Sequence, residues 1–200
     1  MSDPRTVTVT GHGTGTVVPD SAAVRVAVVH RAGGVADALA GVSAAAEQVV
    51  GIARDCDLVA GSTGINVWPW HDHQGKASGF EARHSLAVRC DSVEEAGSLL
   101  SALAEGVGDA LVLEGVSLDV RDPSDARTAA TEAAYDDARA HAAHLAALAG
   151  ATLGEVLALA DTATAGGPAP VALAASGRGA ALEPGETVVH SSVTVTWTLA

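Results

Sequence analysis

The stretch from Asp122 to Gly150, DPSDARTAATEAAYDDARAHAAHLAALAG, is the longest helix this chain can make, and both of its ends are written into it. Asp122 offers a side-chain acceptor at the N-cap, Pro123 suits the first helical position, Asp125 adds negative charge to the first turn, and Gly150 supplies a left-handed stop. Between them Ala126, Ala130, Ala134, Ala138, Ala142, Leu145 and Ala149 keep helical spacing on one face, while Arg127, Glu132, Asp136 and Arg139 belong in water. At 1.5 Å per residue the element spans about 40 Å, longer than one compact domain of this size needs for its own core. An alanine seam lets a neighbour approach closely but buries little area per residue. Ala134, Ala138, Ala142 and Leu145 are therefore candidate contacts, within the subunit or between subunits.

The flanking sequence supplies strands and two further helices. Thr6 to Thr10 alternates Thr and Val as a half-buried strand, and Gly11, Gly13 and Gly15 read as a bend or bulge that interrupts it. After Pro19-Asp20, Val24, Val26 and Val28 line one face of a second strand. Val35 to Arg54 has the spacing of a helix, with Leu39, Val42, Ala46, Val49 and Ala53 facing a core. Gly64 to Trp70 reads as a short strand and Phe80 to Cys90 as a long one, apolar on one face and polar on the other. Ser92 to Glu95 forms a capping box for a helix that carries Leu99, Leu100 and Leu103 and stops near Gly106. Leu111 to Val120, Leu153 to Leu159 and Val189 to Leu199 complete the strands. A faint repeat aligns Val35, Ala38, Val42 and Ala46 with Val93, Ala96, Leu100 and Ala104. The order predicts an α+β class: a mostly antiparallel sheet with helices packed on one side, in one domain over residues 1–200. Residues 162–187, rich in Ala, Gly and Pro without periodicity, read as a flexible excursion.

Composition excludes several functions. A formal net charge of -13 repels phosphate backbones and anionic lipid, so nucleic acid is not expected as a partner. No basic, apolar and small-residue succession marks a secretory leader, and no stretch approaches the roughly 18 apolar residues of a membrane span. A cytoplasmic protein is expected, with Cys56 and Cys90 as reduced thiols. The chain carries neither a G-x-S-x-G elbow nor a phosphate-binding G-x-x-x-x-G-K-[ST] loop. Gly11-His12-Gly13 is not a dinucleotide fingerprint, because a strand follows it. No cofactor is expected, and the balance favours a binding or assembly role over an enzyme.

Among the histidines, His71-Asp72-His73 is the densest group. Two His at i and i+2 point the same way in an extended chain and could hold two corners of a metal, with His141 and His144 as further ligands. The competing reading is a solvated loop and two surface histidines. His84, on an apolar strand face, reads as a core histidine with one satisfied nitrogen. Asp136 and Asp137 diverge by about 100° on a helix and are poor partners for acid–base work. Trp68-Pro69-Trp70 either anchors a partner or a neighbouring subunit, or covers the sheet of its own domain.

Val7-Thr8-Val9-Thr10-Gly11-His12-Gly13, Pro19-Asp20 and the valine strand after it resemble the opening of the SIMPL-domain family. So do Gly79-Phe80, Gly115-Val116-Ser117-Leu118, the run from Asp137 to Gly150, Leu153-Gly154-Glu155-Val156 and Glu183-Pro184-Gly185-Glu186, in order along nearly the whole chain. The resemblance implies an α+β subunit that assembles into symmetric rings or channel-like oligomers, with no agreed catalytic activity and no catalytic residues to carry over. Many bacterial relatives are envelope-associated and linked to oxidative-stress defence. This sequence departs in lacking a leader, and in having Val171 to Leu182 in place of a Met-rich loop. Three roles are expected in turn: a self-assembling, homo-oligomeric protein, a small-molecule or metal binder, or a hydrolase, centred on His71 and His73, and an adaptor that docks a protein partner through the excursion.

Overall fold

The computed structural model describes residues 5–71, 75–161 and 185–200. In chain order the elements are β1 (Thr6–Val17), β2 (Ser21–Ala32), α1 (Val35–Asp55), β3 (Ala60–His71), β4 (Ala77–Cys90), α2 (Val93–Val107), β5 (Leu111–Asp119), α3 (Ser124–Leu148), β6 (Leu153–Asp161) and β7 (Thr187–Leu199), with a short 3-10 turn before β5. The class is α+β. The strands form two antiparallel sheets, of order β1-β7-β6 and β3-β4-β2-β5, where the sequence pattern suggests one. Alternation reports that a strand has two faces, not which strand it pairs with. The excursion after β6 lies outside the described residues, apart from its end in β7.

The chain divides into two compact units. In the described residues one comprises 5–18, 120–161 and 185–200. Here α3 lies along β1, and the glycines explain how. A Cβ on Gly11 would collide with the carbonyl of Ala134 and the amide of Ala138, one on Gly13 with Ala130 and Ala134, and one on Gly15 with the Ala126 carbonyl. The strand therefore runs straight through its glycines, and the expected bend is a stripe of close approach. The periods match: two strand residues advance about 6.8 Å and four helix residues about 6.0 Å. Glycines at i, i+2 and i+4 thus keep step with the alanine seam: Gly15 lies over Ala126, Gly13 between Ala130 and Ala134, and Gly11 between Ala134 and Ala138. Towards the other end Val9, Val193, Val195 and Trp197 fill the space beneath Ala138 and Ala142, and Tyr135 lies against Trp197 with ring centroids 6.4 Å apart.

The far end of α3 follows its sequence signal, whereas the near end is shifted by one residue: the helix begins at Ser124 with Pro123 at the N-cap, where the sequence reading puts Asp122. Ser124 N–H donates to Asp122 Oδ1 at 2.9 Å. At the far end Gly150 is left-handed, with φ 65°. Ala151 N–H donates to the Ala146 carbonyl and Gly150 N–H to that of Ala147, a Schellman stop. The helix is as long as β1 and β7 require: twelve residues of β1 extend about 41 Å at strand rise, so its length is used inside its own unit.

The second unit, Pro19–Asp119 in its described residues, has the order β2-α1-β3-β4-α2-β5, the split βαβ arrangement of ferredoxin-like folds. Its core joins Val24, Val26 and Val28 of β2, Ala82, Leu86 and Val88 of β4, Ala38, Val42 and Val49 of α1, and Ala96, Leu99 and Leu103 of α2. Even-numbered residues of β2 and β4 thus face the helices, and odd-numbered ones form the other face. The faint repeat corresponds to the two helix-strand halves, although Leu99 rather than Leu100 is the fully buried residue. Ser92 caps α2, accepting from Glu95 N–H at 3.1 Å, while Glu95 reaches back to Asp91 N–H. α1 is long and apolar enough, by length and composition, to cross a membrane, which the sequence reading does not anticipate. In this chain it packs Ala38, Val42, Ala46, Val49 and Ala53 into the core and exposes Asp37, Glu47, Gln48, Arg54 and Asp55.

Candidate functional site

The helix-free face of the four-stranded sheet gathers chemistry that the sequence scatters. Register places Trp68 of β3 beside Glu81 of β4, and Glu81 beside Arg31 of β2, in one row across three strands. Trp70 is one step further along β3, opposite Gly79. Gly79 has φ 140°, and a side chain there would strike the Ala32 carbonyl, so only glycine fits at this point of β4. Arg31 pairs with Glu81 and lays its guanidinium 4.7 Å from the centroid of the Trp70 ring, a cation–π contact. Trp70 is half-buried as a result, whereas Trp68 is 38% exposed.

A second bridge crosses the same face. β2 and β5 slip register between Arg25 and Val26, and the slip leaves Glu114 as the extra residue of a bulge. Its Oε1 accepts from Arg83 Nη2 at 2.7 Å and from Ser85 Oγ at 3.0 Å. Ala27, the β2 residue in the row between them, is fully buried. The Arg83 hydrogen bond, helped by the one from Ser85 and by the Arg83 and Arg25 charges, holds the Glu114 carboxyl below its usual range against the opposing effect of burial. A carboxylate so stabilised is a weak base near neutral pH. With Arg25 and Arg89 on the same face, the surface offers a tryptophan, arginines and paired carboxylates, the residue types of a binding surface.

The remaining sequence candidates fall elsewhere. His71 is exposed at the end of β3, and His73 lies outside the described residues. His141 and His144 are exposed on α3. Among the described residues no group of three or more His, Cys, Asp or Glu side chains could hold a metal ion. His84 is buried, with Nε2 2.7 Å from Ser62 Oγ and Nδ1 without a partner among the described residues. Burial, with smaller contributions from Glu95, Asp91 and Cys56, pushes the Cys90 thiol up to about 11, which removes it as a nucleophile. Asp136 and Asp137 do diverge: Asp137 Oδ2 accepts from His12 N–H at 3.0 Å, tying α3 to β1.

Ala134, Ala138 and Ala142 are fully buried and Leu145 half-buried against the first unit's own sheet. The seam therefore meets β1, and these alanines present no surface to a second subunit. Of the two readings the sequence allows, contact within the subunit or between subunits, the structure shows the first for these residues; the sequence does not identify β1 as the neighbour, because its glycine stripe reads as a bend. Sequence reasoning missed the Arg83–Glu114 bridge, for which a glycine after a glutamate in a strand, Glu114-Gly115, was the available signal of a bulge.

No curated protein matches this chain in sequence. Solved structures resemble part of it: an amidase of the hydantoinase/carbamoylase family from Burkholderia phymatum, at 16% identity and TM-score 0.34, over 56% of this chain and 31% of that one. AtUAH in complex with (S)-hydroxyglycine is similar at 12% identity and TM-score 0.27, over 54% of this chain and 29% of that one. AtUAH in complex with glyoxylate is similar at 15% identity and TM-score 0.25, with the same coverage of 54% and 29%. The chain spans less than a third of these proteins, and similarity at this level carries no functional argument. The family comparison is decisive: the model described as SIMPL, protein of unknown function (DUF541), matches residues 7–197, and the chain belongs to that family.

Proposed function

We propose that this SIMPL protein is a non-enzymatic, self-assembling subunit whose copies meet through the helix-free sheet face around Trp68 and Trp70. The observation that carries the reading is Trp68, 38% exposed in a chain with only three tryptophans, in a row with an Arg–Glu pair. Trp and Arg dominate the energetics of interfaces. A face bearing both Arg and Glu can complement itself across a symmetry axis, as a closed oligomer requires. Two free cysteines, Cys56 and Cys90, suit a reducing, cytoplasmic setting. The resemblance to stress-linked relatives extends the proposal to oxidative-stress defence.

The test is the native mass of the untagged protein across a dilution series. One closed oligomer is expected, together with a Trp68→Asp variant that melts like the parent but dissociates. A monomer at all concentrations overturns the proposal. If that monomer carries a stoichiometric metal that is lost in the His71→Ala, His73→Ala double variant, a metal-binding function at the His71–His73 loop takes its place.

A further inference from the structure

The first unit has three strands in its sheet but one helix to cover them. α3 runs along β1 and β7 and scarcely touches β6, so β6 is exposed on both faces from Gly154 to Asp161. Val156, Leu157 and Leu159 are 44%, 54% and 58% exposed. β6 is also the end strand of its sheet, and its outer edge has no ladder partner among the described residues. Such edges template further pairing unless Lys, Pro or an inward charge blunts them. The sequence of β6, LGEVLALAD, has neither Lys nor Pro, and its one charge placed on the inward face, Asp161, stands at the very end of the strand, which leaves the edge before it open. Its register against β7 is irregular up to Ala158 and regular from there to Asp161.

Beside this edge lies a groove of about 420 Å³, lined by Thr131, Glu132, Tyr135 and Asp136 of α3, Leu159 and Asp161 of β6, and Val193 of β7. Its floor is apolar, its rim carries three carboxylates, and no Lys or Arg lines it among the described residues. Leu159 and Asp161 pair with the inward-facing Val195 and Val193, whereas Ala158 and Ala160 pair with Thr196 and Thr194 on the opposite face.

We propose that the β6 edge and this groove receive an extended cationic segment of another protein, added to the sheet as a fourth strand. Backbone hydrogen bonds to β6 supply affinity in such strand addition, and alternate side chains supply specificity. In a strand beside β6, every second side chain faces the groove. Lys or Arg at those positions can lay aliphatic stems over Leu159 and Val193 and bring charged heads to Glu132, Asp136 and Asp161. The intervening residues, beside Ala158 and Ala160, are apolar. The charge pattern argues against a second copy here: two β6 edges brought together would set the same carboxylates, and Glu155, against one another in a chain of net charge -13. The inference does not rest on assembly through the tryptophan face.

The test uses the full chain and a fluorescent nonapeptide of alternating Lys and Val, with anisotropy as the readout. Binding at least tenfold tighter than that of the alternating Glu and Val peptide is expected, and at least tenfold tighter than that of the fully N-methylated Lys and Val peptide. A Glu132→Gln, Asp136→Asn variant, changed only on exposed helix positions, is expected to weaken binding about five- to tenfold with an unchanged thermal melt. Equal binding of the N-methylated peptide would reduce the site to charge attraction and overturn strand addition. Absence of binding overturns the proposal outright. So does dimerisation abolished by Ala158→Pro in a protein that ignores the peptide, since the occupant is then a second copy.

Discussion

Gly13 faces the backbone of α3, and a methyl group there meets atoms that no rotamer change can move. Gly64 on β3, by contrast, has no atom within 4 Å of where its Cβ would stand. The two strand glycines look alike in sequence and differ only in what lies opposite. Gly13→Ala is expected to cost about 3 kcal/mol or more, at the upper end of overpacking, and Gly64→Ala to be neutral or slightly stabilising. Urea denaturation of both variants checks this, and similar midpoints would show that the β1–α3 contact tolerates a side chain. Residue scale also explains an oddity at the end of α1. Asp57 takes the left-handed position with φ 59°, where glycine is the usual choice, and Leu58 N–H still closes onto the Ala53 carbonyl at 2.8 Å.

Among the elements, the bridge from β5 over β2 to β4 has a pH signature. The Glu114 carboxyl is held below its ordinary value in the folded state, first by the Arg83 hydrogen bond. A depressed carboxylate contributes stability that is fully present above its unfolded-state value and is lost as pH falls through the folded one. Arg83→Met should therefore raise the Glu114 midpoint towards the ordinary carboxylate range. The parent's stability advantage over that variant should be present at neutral pH and vanish in acid. Carboxyl-carbon NMR titration of the two proteins, with urea midpoints at pH 7 and pH 3, reads both effects. An unchanged Glu114 midpoint would mean that Ser85 and solvent set it. The sequence showed the elements themselves well: α1 and α2 stand within a residue or so of their expected limits, because caps and 3.6-residue spacing are local signals. β3 was underestimated, beginning at Ala60 rather than Gly64, because Gly61, Ser62 and Thr63 look like a loop until Ala60 is found opposite Val88 of β4.

For the whole molecule, the described residues of the second unit form one continuous stretch, and those of the first are assembled from three separated ones. Among the described residues, the buried core of the second unit draws on β2, β4, α1 and α2, with residues of β3 and β5 packed against it. A fragment of residues 19–119 is therefore expected to fold by itself, with a cooperative thermal transition and the dispersed amide spectrum of an ordered domain. A collapsed spectrum without a cooperative melt would show that this core needs the rest of the chain.

The sequence by itself determined the α+β class, the helix stops at Gly150 and the Ser92 cap, the even-numbered core face of β2 and β4, and the SIMPL membership written in order from Val7 onwards. These are properties of neighbouring residues: alternation, helical spacing, capping chemistry and motif order survive without knowledge of the fold. Only the tertiary structure decided that there are two sheets, that β1 fills the alanine seam, that Trp68, Trp70, Arg31 and Glu81 share a face, and that β6 is left bare beside a carboxylate-rimmed groove. Each of those depends on strands and helices far apart in the chain coming together. A glycine, an alanine or an exposed leucine acquires its meaning from the element packed against it, or from the lack of one.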